Sequence, residues 1–309
     1  MPLAWLPYAD KAEAERRLGD IPPGIEVDFY QGRDQPWPDS IGEVEFYVLP
    51  YMSGVEVLDR AAEMSRLKVI QTLTAGVENF LPAVPDGVTL CNAAGVHDAS
   101  TAELAIALAL ASGRRLDVFA RDMVSGRWGF EFGSALADKR VLIIGYGNIG
   151  AAIERRLAGF EVASVTRVAR RRRTGELEVH PTTELDALLP DADVAIVIAP
   201  HTPETDGMIG AQQLRLLPDQ ALLINVARGR LVDTDALLAE VSTGRIRAAL
   251  DVVDPEPLPP EHPLWHAPGV FISPHIGGAS SAFFPRADRL IAAQLKRFAH
   301  GQALENKIT

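Results

Sequence analysis

Cysteine is nearly missing from this chain: Cys91 is the only one in 309 residues. A lone thiol excludes an internal disulfide and any Cys-based metal motif. The histidines take no metal-ligand spacing either, so no metal is expected. Positive charge is scarce too, with 41 Asp and Glu against 30 Lys and Arg and a formal net charge of −11. Such a surface repels nucleic acid and anionic membranes at long range, which counts against both as main partners. No stretch approaches the roughly 18 uninterrupted apolar residues of a membrane helix. The opening "MPLAWLPYADKAEAERR" mixes charge into its apolar run, unlike a signal peptide. Low-complexity tracts and repeats of about 20 to 50 residues are missing as well. These exclusions leave a soluble, cytoplasmic protein.

What remains is 47% hydrophobic and 23% charged, and long enough for two domains. Short apolar runs alternate with helical patterns, which predicts parallel sheets covered by helices. In the first third the strands are expected at "LAWLP", "IEVDFY", "EFYVLP", "LKVIQTL" and "VTLCN", with helices at "KAEAERRLG" and "VEVLDRAAEM". A long helix is expected over "HDASTAELAIALALASGRRLDVFARDMVSG", where Ser100 and Glu103 have capping-box spacing. A second series opens at "RVLIIGYGNIG" and continues through "ASVTRV", "VAIVIAP", "ALLINVA", "AALDVV" and "VFISP". A closing helix from "SSAFFPRADRL" onward returns the chain to the first domain.

"GYGNIG" sets Gly145, Gly147 and Gly150 as G-x-G-x-x-G between a strand and the helical pattern "AAIERRLAG". The glycines allow a tight turn, close approach of a pyrophosphate and close helix–strand packing. Asn148 and Ile149 then open a helix whose free N–H groups favour negative charge. A version specific for NAD carries Asp or Glu about 20 residues on, for the ribose 2′-hydroxyl. That place falls on Thr166, followed by Arg167 and Arg170, in a run of five arginines within seven positions. A hydroxyl beside a guanidinium attracts a 2′-phosphate where a carboxylate would repel it. The expected cofactor is therefore NADP(H) in preference to NAD(H), with Arg171, Arg172 and Arg173 in a solvated loop.

Three further stretches complete a pattern: "NVARGRLVD", "ALDVVDPEPLP" and "ISPHIGGAS". Together with the glycine motif they resemble the D-isomer-specific 2-hydroxyacid dehydrogenase family, and the resemblance runs from "LTAGVENF" to the closing "QALENKIT". It implies an α/β fold of two Rossmann-like domains, doubly wound parallel sheets with an active-site cleft between them. The substrate (flavodoxin-like) domain would comprise residues 1–98 and 277–309, and the dinucleotide-binding domain residues 99–276. By the same resemblance Arg228 binds the substrate carboxylate, His275 is the general acid in reduction, and Glu256 holds the other imidazole nitrogen. Asp251 would face the nicotinamide carboxamide, and Thr101, Pro200, Thr205, Val226 and Ala227 would lie against the cofactor. Backbone N–H groups of Ala75, Gly76 and Val77 would hold the substrate carboxylate. A homodimer is also implied.

"PYMSGVEV" offers no basic residue for a substrate phosphate, which favours small 2-keto acids such as glyoxylate, hydroxypyruvate or pyruvate over phosphoglycerate. Two alternatives accompany this reading. One is formate or phosphite oxidation on the same scaffold, although the formate relatives carry Gln where Glu256 stands. The other is a nicotinamide-responsive, corepressor-like binding module, against which no partner-recruiting tail is visible.

Overall fold

Apolar runs that are continuous rather than alternating need both faces covered, and this chain builds them into parallel sheets. The computed structural model describes all residues except 33 and 34. The chain divides into two compact units, Met1–His97 with Ser281–Thr309, and Asp98–Ser280. The expected boundaries lie one residue later at the first crossing and four residues earlier at the second.

In the first unit β1 (Leu3–Leu6), β2 (Glu26–Phe29), β3 (Val44–Val48), β4 (Val69–Gln71) and β5 (Thr89–Cys91) pair in parallel, in the order β2-β1-β3-β4-β5. All five residues of β3 are buried, as a central strand requires. Helix α1 (Lys11–Leu18) is capped by Asp10, whose carboxylate accepts the Glu13 N–H at 2.8 Å. The expected helix over "VEVLDRAAEM" is instead two 3₁₀ turns, Val55–Leu58 and Ala61–Glu63. Its β-branched valines disfavour the α form, and the buried side chains pack from the short turns.

The second unit opens with α2 (Asp98–Gly113) and α3 (Leu116–Ser125), which together replace the single expected helix. The break falls at Arg115, whose φ of 56° is left-handed. Ser100 lies within α2 rather than capping it, and its hydroxyl meets that of Ser280 at 2.6 Å. Next come β6 (Arg140–Ile144), α4 (Asn148–Leu157), β7 (Ser164–Ala169), β8 (His180–Pro181), α5 (Leu185–Leu188) and β9 (Val194–Val197). They are followed by α6 (Ala211–Leu216), β10 (Leu222–Asn225), α7 (Thr234–Ser242), β11 (Arg247–Leu250) and β12 (Val270–Ile272). The seven parallel strands run β12-β11-β10-β9-β6-β7-β8. This is the Rossmann order, reversing direction between β6 and β9. The buried residues of α2, such as Ala102, Ala105 and Ile106, close one face of this sheet with Ala152 and Ile153 of α4.

The last helix, α8 (Phe283–Ala299), belongs to the first unit. Buried Gln294 donates to Gln71 Oε1 at 2.7 Å, and Asp288 accepts the Tyr8 hydroxyl at 2.9 Å and the Arg17 guanidinium. An apolar helix face alone could slide along a sheet; these buried polar pairs fix its register.

Candidate active site

Ligands of open α/β sheets gather at the carboxyl ends of the strands, beside the point where strand order reverses. In the second unit that point is the β6/β9 junction, and the glycine motif follows β6 directly. Gly145 has φ 111°, and a Cβ there would stand 2.3 Å from the Ala199 nitrogen after β9, so only glycine fits. Gly147 has open space where its side chain would be, which keeps the turn accessible to a dinucleotide. Asn148, Ile149 and buried Gly150 form the first turn of α4, whose leading N–H groups have no partner within the helix. This cradle fits a pyrophosphate.

Beyond β9, Pro200 is exposed and its carbonyl accepts the Thr205 hydroxyl at 2.8 Å, while Thr205 Oγ1 takes the Thr202 N–H at 2.8 Å. Thr205 thus shapes the loop by its own bonds. Thr166, expected at the end of the second strand, lies inside β7 opposite Leu142. The strand continues to Ala169, and Arg170 is the first residue past it. Glu161 turns the chain in the left-handed region between α4 and β7, and a spacing of about 20 residues counted from Gly150, the last glycine of the motif, falls on Arg170. Arg167 is not free at the strand end either. Its Nε donates to Glu154 Oε2 at 2.7 Å and its second amino group to Oε1. The guanidinium beside it holds the Glu154 carboxyl below the ordinary carboxylate range.

The strands β10, β11 and β12 are neighbours, so the residues that follow them are brought together although far apart in sequence. Val226 and Ala227 are buried just past β10, where the Ala227 N–H donates to Asn225 Oδ1 at 3.1 Å and turns the chain toward Arg228. Arg228 Nη1 donates to the Ala227 carbonyl at 2.7 Å. Gly229 must be glycine, since a Cβ there would stand 1.8 Å from the Val253 carbonyl oxygen. That close approach brings the Arg228 turn against the segment that continues from Asp251.

His275 follows β12 with φ 52°, a left-handed conformation that costs a non-glycine residue energy unless its surroundings hold it. Its N–H is held by the Asp251 carbonyl at 2.8 Å. Its Nδ1 is hydrogen-bonded to Glu256 Oε1, leaving Nε2 as the outward nitrogen. The hydrogen bond to Glu256 raises the imidazole pKa above its ordinary value against the opposing effect of partial burial.

Asp251, implied by the resemblance to face the nicotinamide, is tied into the loop that carries His275. It is 2% exposed, and its carboxylate accepts the Ser273 hydroxyl at 2.6 Å and the N–H groups of Ile276 at 2.9 Å and Gly277 at 2.7 Å. Three of about four acceptor positions are therefore committed to the loop around His275. Thr101, buried in α2, donates to the Gly277 carbonyl at 3.2 Å and supports the same turn. Ser273, Glu154 and Tyr146 carry no signal in the sequence. Each acts through one contact between distant segments, and no periodicity or motif encodes that.

In the first unit, Thr74 Oγ1 donates to the Gly76 carbonyl at 2.8 Å and Asn92 Nδ2 to the Ala75 carbonyl at 2.7 Å. With those carbonyls fixed, the N–H groups of Ala75, Gly76 and Val77 have no protein acceptor among the described residues. Such successive amides attract an anion.

A dinucleotide cradle and an Arg–Glu–His set along the carboxyl ends of one doubly wound sheet define a nicotinamide-dependent oxidoreductase. Residues 106–277, more than half the chain, match the family description "D-isomer specific 2-hydroxyacid dehydrogenase, NAD binding domain". The glyoxylate reductase of Thermofilum pendens is 35% identical over 82% of this chain and 78% of its own length. The mouse glyoxylate reductase/hydroxypyruvate reductase is 33% identical over 82% and 80%. The solved NADPH-dependent glyoxylate/hydroxypyruvate reductase of Sinorhizobium meliloti, in complex with NADP and malonate, superposes with a TM-score of 0.81. It is 27% identical, with 100% of this chain and 97% of that one covered. The chain belongs to the D-isomer specific 2-hydroxyacid dehydrogenase family. It is an NAD(P)-dependent enzyme that transfers hydride between a nicotinamide and a 2-keto or 2-hydroxy acid.

Proposed function

We propose that this enzyme is an NADPH-preferring reductase of small 2-keto acids, glyoxylate and hydroxypyruvate foremost, yielding D-2-hydroxy acids. The observation that carries this reading is His275 held through Nδ1 by Glu256, at the same sheet edge as Arg228 and near enough for that guanidinium to act on the imidazole. The reductase names of the relatives support the substrate class. The bound nicotinamide supplies the hydride. Arg228 is the proposed partner of the substrate carboxylate, its planar fork matching two oxygens at once and drawing electron density from the adjacent carbonyl. The hydrogen bond to Glu256 raises the imidazole pKa and so favours the protonated ring, and His275 Nε2–H gives its proton to the carbonyl oxygen as the carbon is reduced. The imidazole is left neutral with Nδ1–H still donated to the Glu256 carboxylate, which holds the ring in place until it takes up a proton again.

NADPH preference is supported by Ala169, which ends β7, and Arg170, the first residue past it, where an acidic side chain would favour NAD. Steady-state reduction of glyoxylate, hydroxypyruvate, pyruvate and phenylpyruvate, each with NADPH and NADH, tests both halves of the reading. One good keto acid with strong NADPH preference is expected. Equal turnover with NADH would remove the cofactor half, and no turnover on any keto acid would remove the substrate half.

We also propose a homodimer. The segment around α3 exposes Leu116, Met123, Val124, Trp128, Phe130 and Phe132, with Trp128 98% exposed. Contiguous apolar side chains on this scale mark an interaction surface. A cytoplasmic location is consistent with use of a reduced nicotinamide, which is regenerated inside cells.

A further inference from the structure

The arginine run that begins inside β7 and continues past its end is not one cluster but two differently committed groups. Arg167, only 17% exposed in its side chain, is gripped by both oxygens of Glu154 from α4. The same carboxylate accepts the hydroxyl of Tyr146, the residue between the first two glycines of the dinucleotide turn. Arg173 donates to the Tyr146 carbonyl, and its Cζ lies 5.5 Å from the Tyr146 ring centre, while that of Arg167 lies 5.7 Å away. Arg172 is engaged by Glu178 and Glu184. Arg170 and Arg171, by contrast, are exposed and form no hydrogen bond or ion pair among the described residues. Arg170 reaches Glu204 only through space, adding to the hydrogen bonding from Thr202 that lowers that carboxyl.

A phosphate that recruited Arg167 would have to strip it from a two-point, partly buried pair and leave the Glu154 carboxylate without a counterion beside the incoming anion. Removing one partner of such a pair is the costly case. Arg170 carries no such penalty and is the first residue beyond the strand end, where the ribose of a dinucleotide is read.

We propose that Glu154, Arg167 and Tyr146 form a mount for the dinucleotide turn, with Glu154 withdrawing Arg167 from phosphate recognition, so that Arg170 reads the 2′-phosphate. Arg173, tied to the Tyr146 carbonyl, fastens the far end of the arginine loop to the same mount. Glu154 and Arg167 are thus positioning residues, and Arg170 is the specificity determinant. This inference rests on the proposed NADP(H) preference.

Calorimetric titration of the whole protein with adenosine 2′,5′-bisphosphate and with 5′-AMP tests it without turnover. Wild type should bind the bisphosphate more tightly; equal affinities would refute the NADP(H) reading itself, and this inference with it. Given that preference, Arg170→Gln should lower bisphosphate affinity by about tenfold or more while leaving AMP unchanged. The double variant Glu154→Gln/Arg167→Gln, which keeps the pair neutral, should leave the ratio of the two affinities within about twofold of wild type. A ratio that collapses in the double variant and survives in Arg170→Gln would overturn the assignment. Should the double variant lose AMP binding as well, Arg167→Lys keeps a counterion for Glu154. Its ratio should then stay near that of wild type, and a collapse there would overturn the assignment equally.

Discussion

The carboxylate of Asp251, at the end of one strand, accepts the N–H of Gly277, two residues past His275, at 2.7 Å. Its other oxygen accepts the N–H of Ile276 and the hydroxyl of Ser273, so one buried side chain ties down both flanks of the proposed proton donor. Asp251→Asn would turn an amide donor toward an N–H or hydroxyl donor. The expected result is a loss of roughly 1–3 kcal/mol in stability with a fall in kcat, checked by thermal melting and steady-state kinetics. Unchanged melting and unchanged kcat would deny Asp251 this role.

Reduction needs protonated His275, so its rate should hold at low pH and fall as pH rises through the imidazole pKa, which Glu256 raises. Oxidation of the hydroxy acid needs the neutral ring and should rise across the same interval. In Glu256→Gln the raising hydrogen bond to a carboxylate is gone, so both limbs should move to lower pH. pH–rate profiles of kcat/KM in both directions check the sign; limbs that stay in place would disconnect Glu256 from the titration.

Arg228→Lys retains the charge but not the fork. The loss of a two-point contact predicts a fall in kcat/KM of roughly 10- to 100-fold for the best keto acid. Dinucleotide affinity, read by fluorescence titration, should be unaffected, because the cradle lies at β6 and Arg228 follows β10.

The exposed aromatic segment makes its own prediction. Sedimentation of wild type should give a species of twice the 33.4 kDa chain mass. Trp128→Ser combined with Phe130→Ser should shift it toward monomer. A wild-type protein that sediments only as the single chain would contradict the dimer.

The parallel sheets are legible in the sequence because their strands are short, apolar and separated by helical patterns, and local composition encodes those features. "GYGNIG" is legible because steric exclusion by Ala199 leaves glycine as the only choice at Gly145. The Arg228, Glu256 and His275 set is legible through motif resemblance, since adjacent strand ends unite residues that no local pattern connects. The same dependence on tertiary contact explains the misses. The helix expected to run through Arg115 breaks there in the left-handed region, although the local sequence continues a helical pattern. Counted from the first glycines of the motif, a typical spacing places Thr166 at the strand end; counted from Gly150 it falls on Arg170, just past Ala169 where β7 ends. Arg167 looks available because the sequence gives no sign that Glu154, thirteen positions earlier, packs against it. Asp251 resembles a ligand-facing carboxylate in sequence, while its burial and three hydrogen bonds emerge only in the fold.

The most direct test of the account is kcat/KM for NADPH-dependent reduction of the best 2-keto acid by His275→Gln beside wild type, with dinucleotide affinity measured in parallel. A general acid contributes about 10²- to 10⁴-fold, so a loss in that range with unchanged dinucleotide binding is the predicted result. Retention of activity within a few-fold of wild type would contradict the assignment of His275 as proton donor.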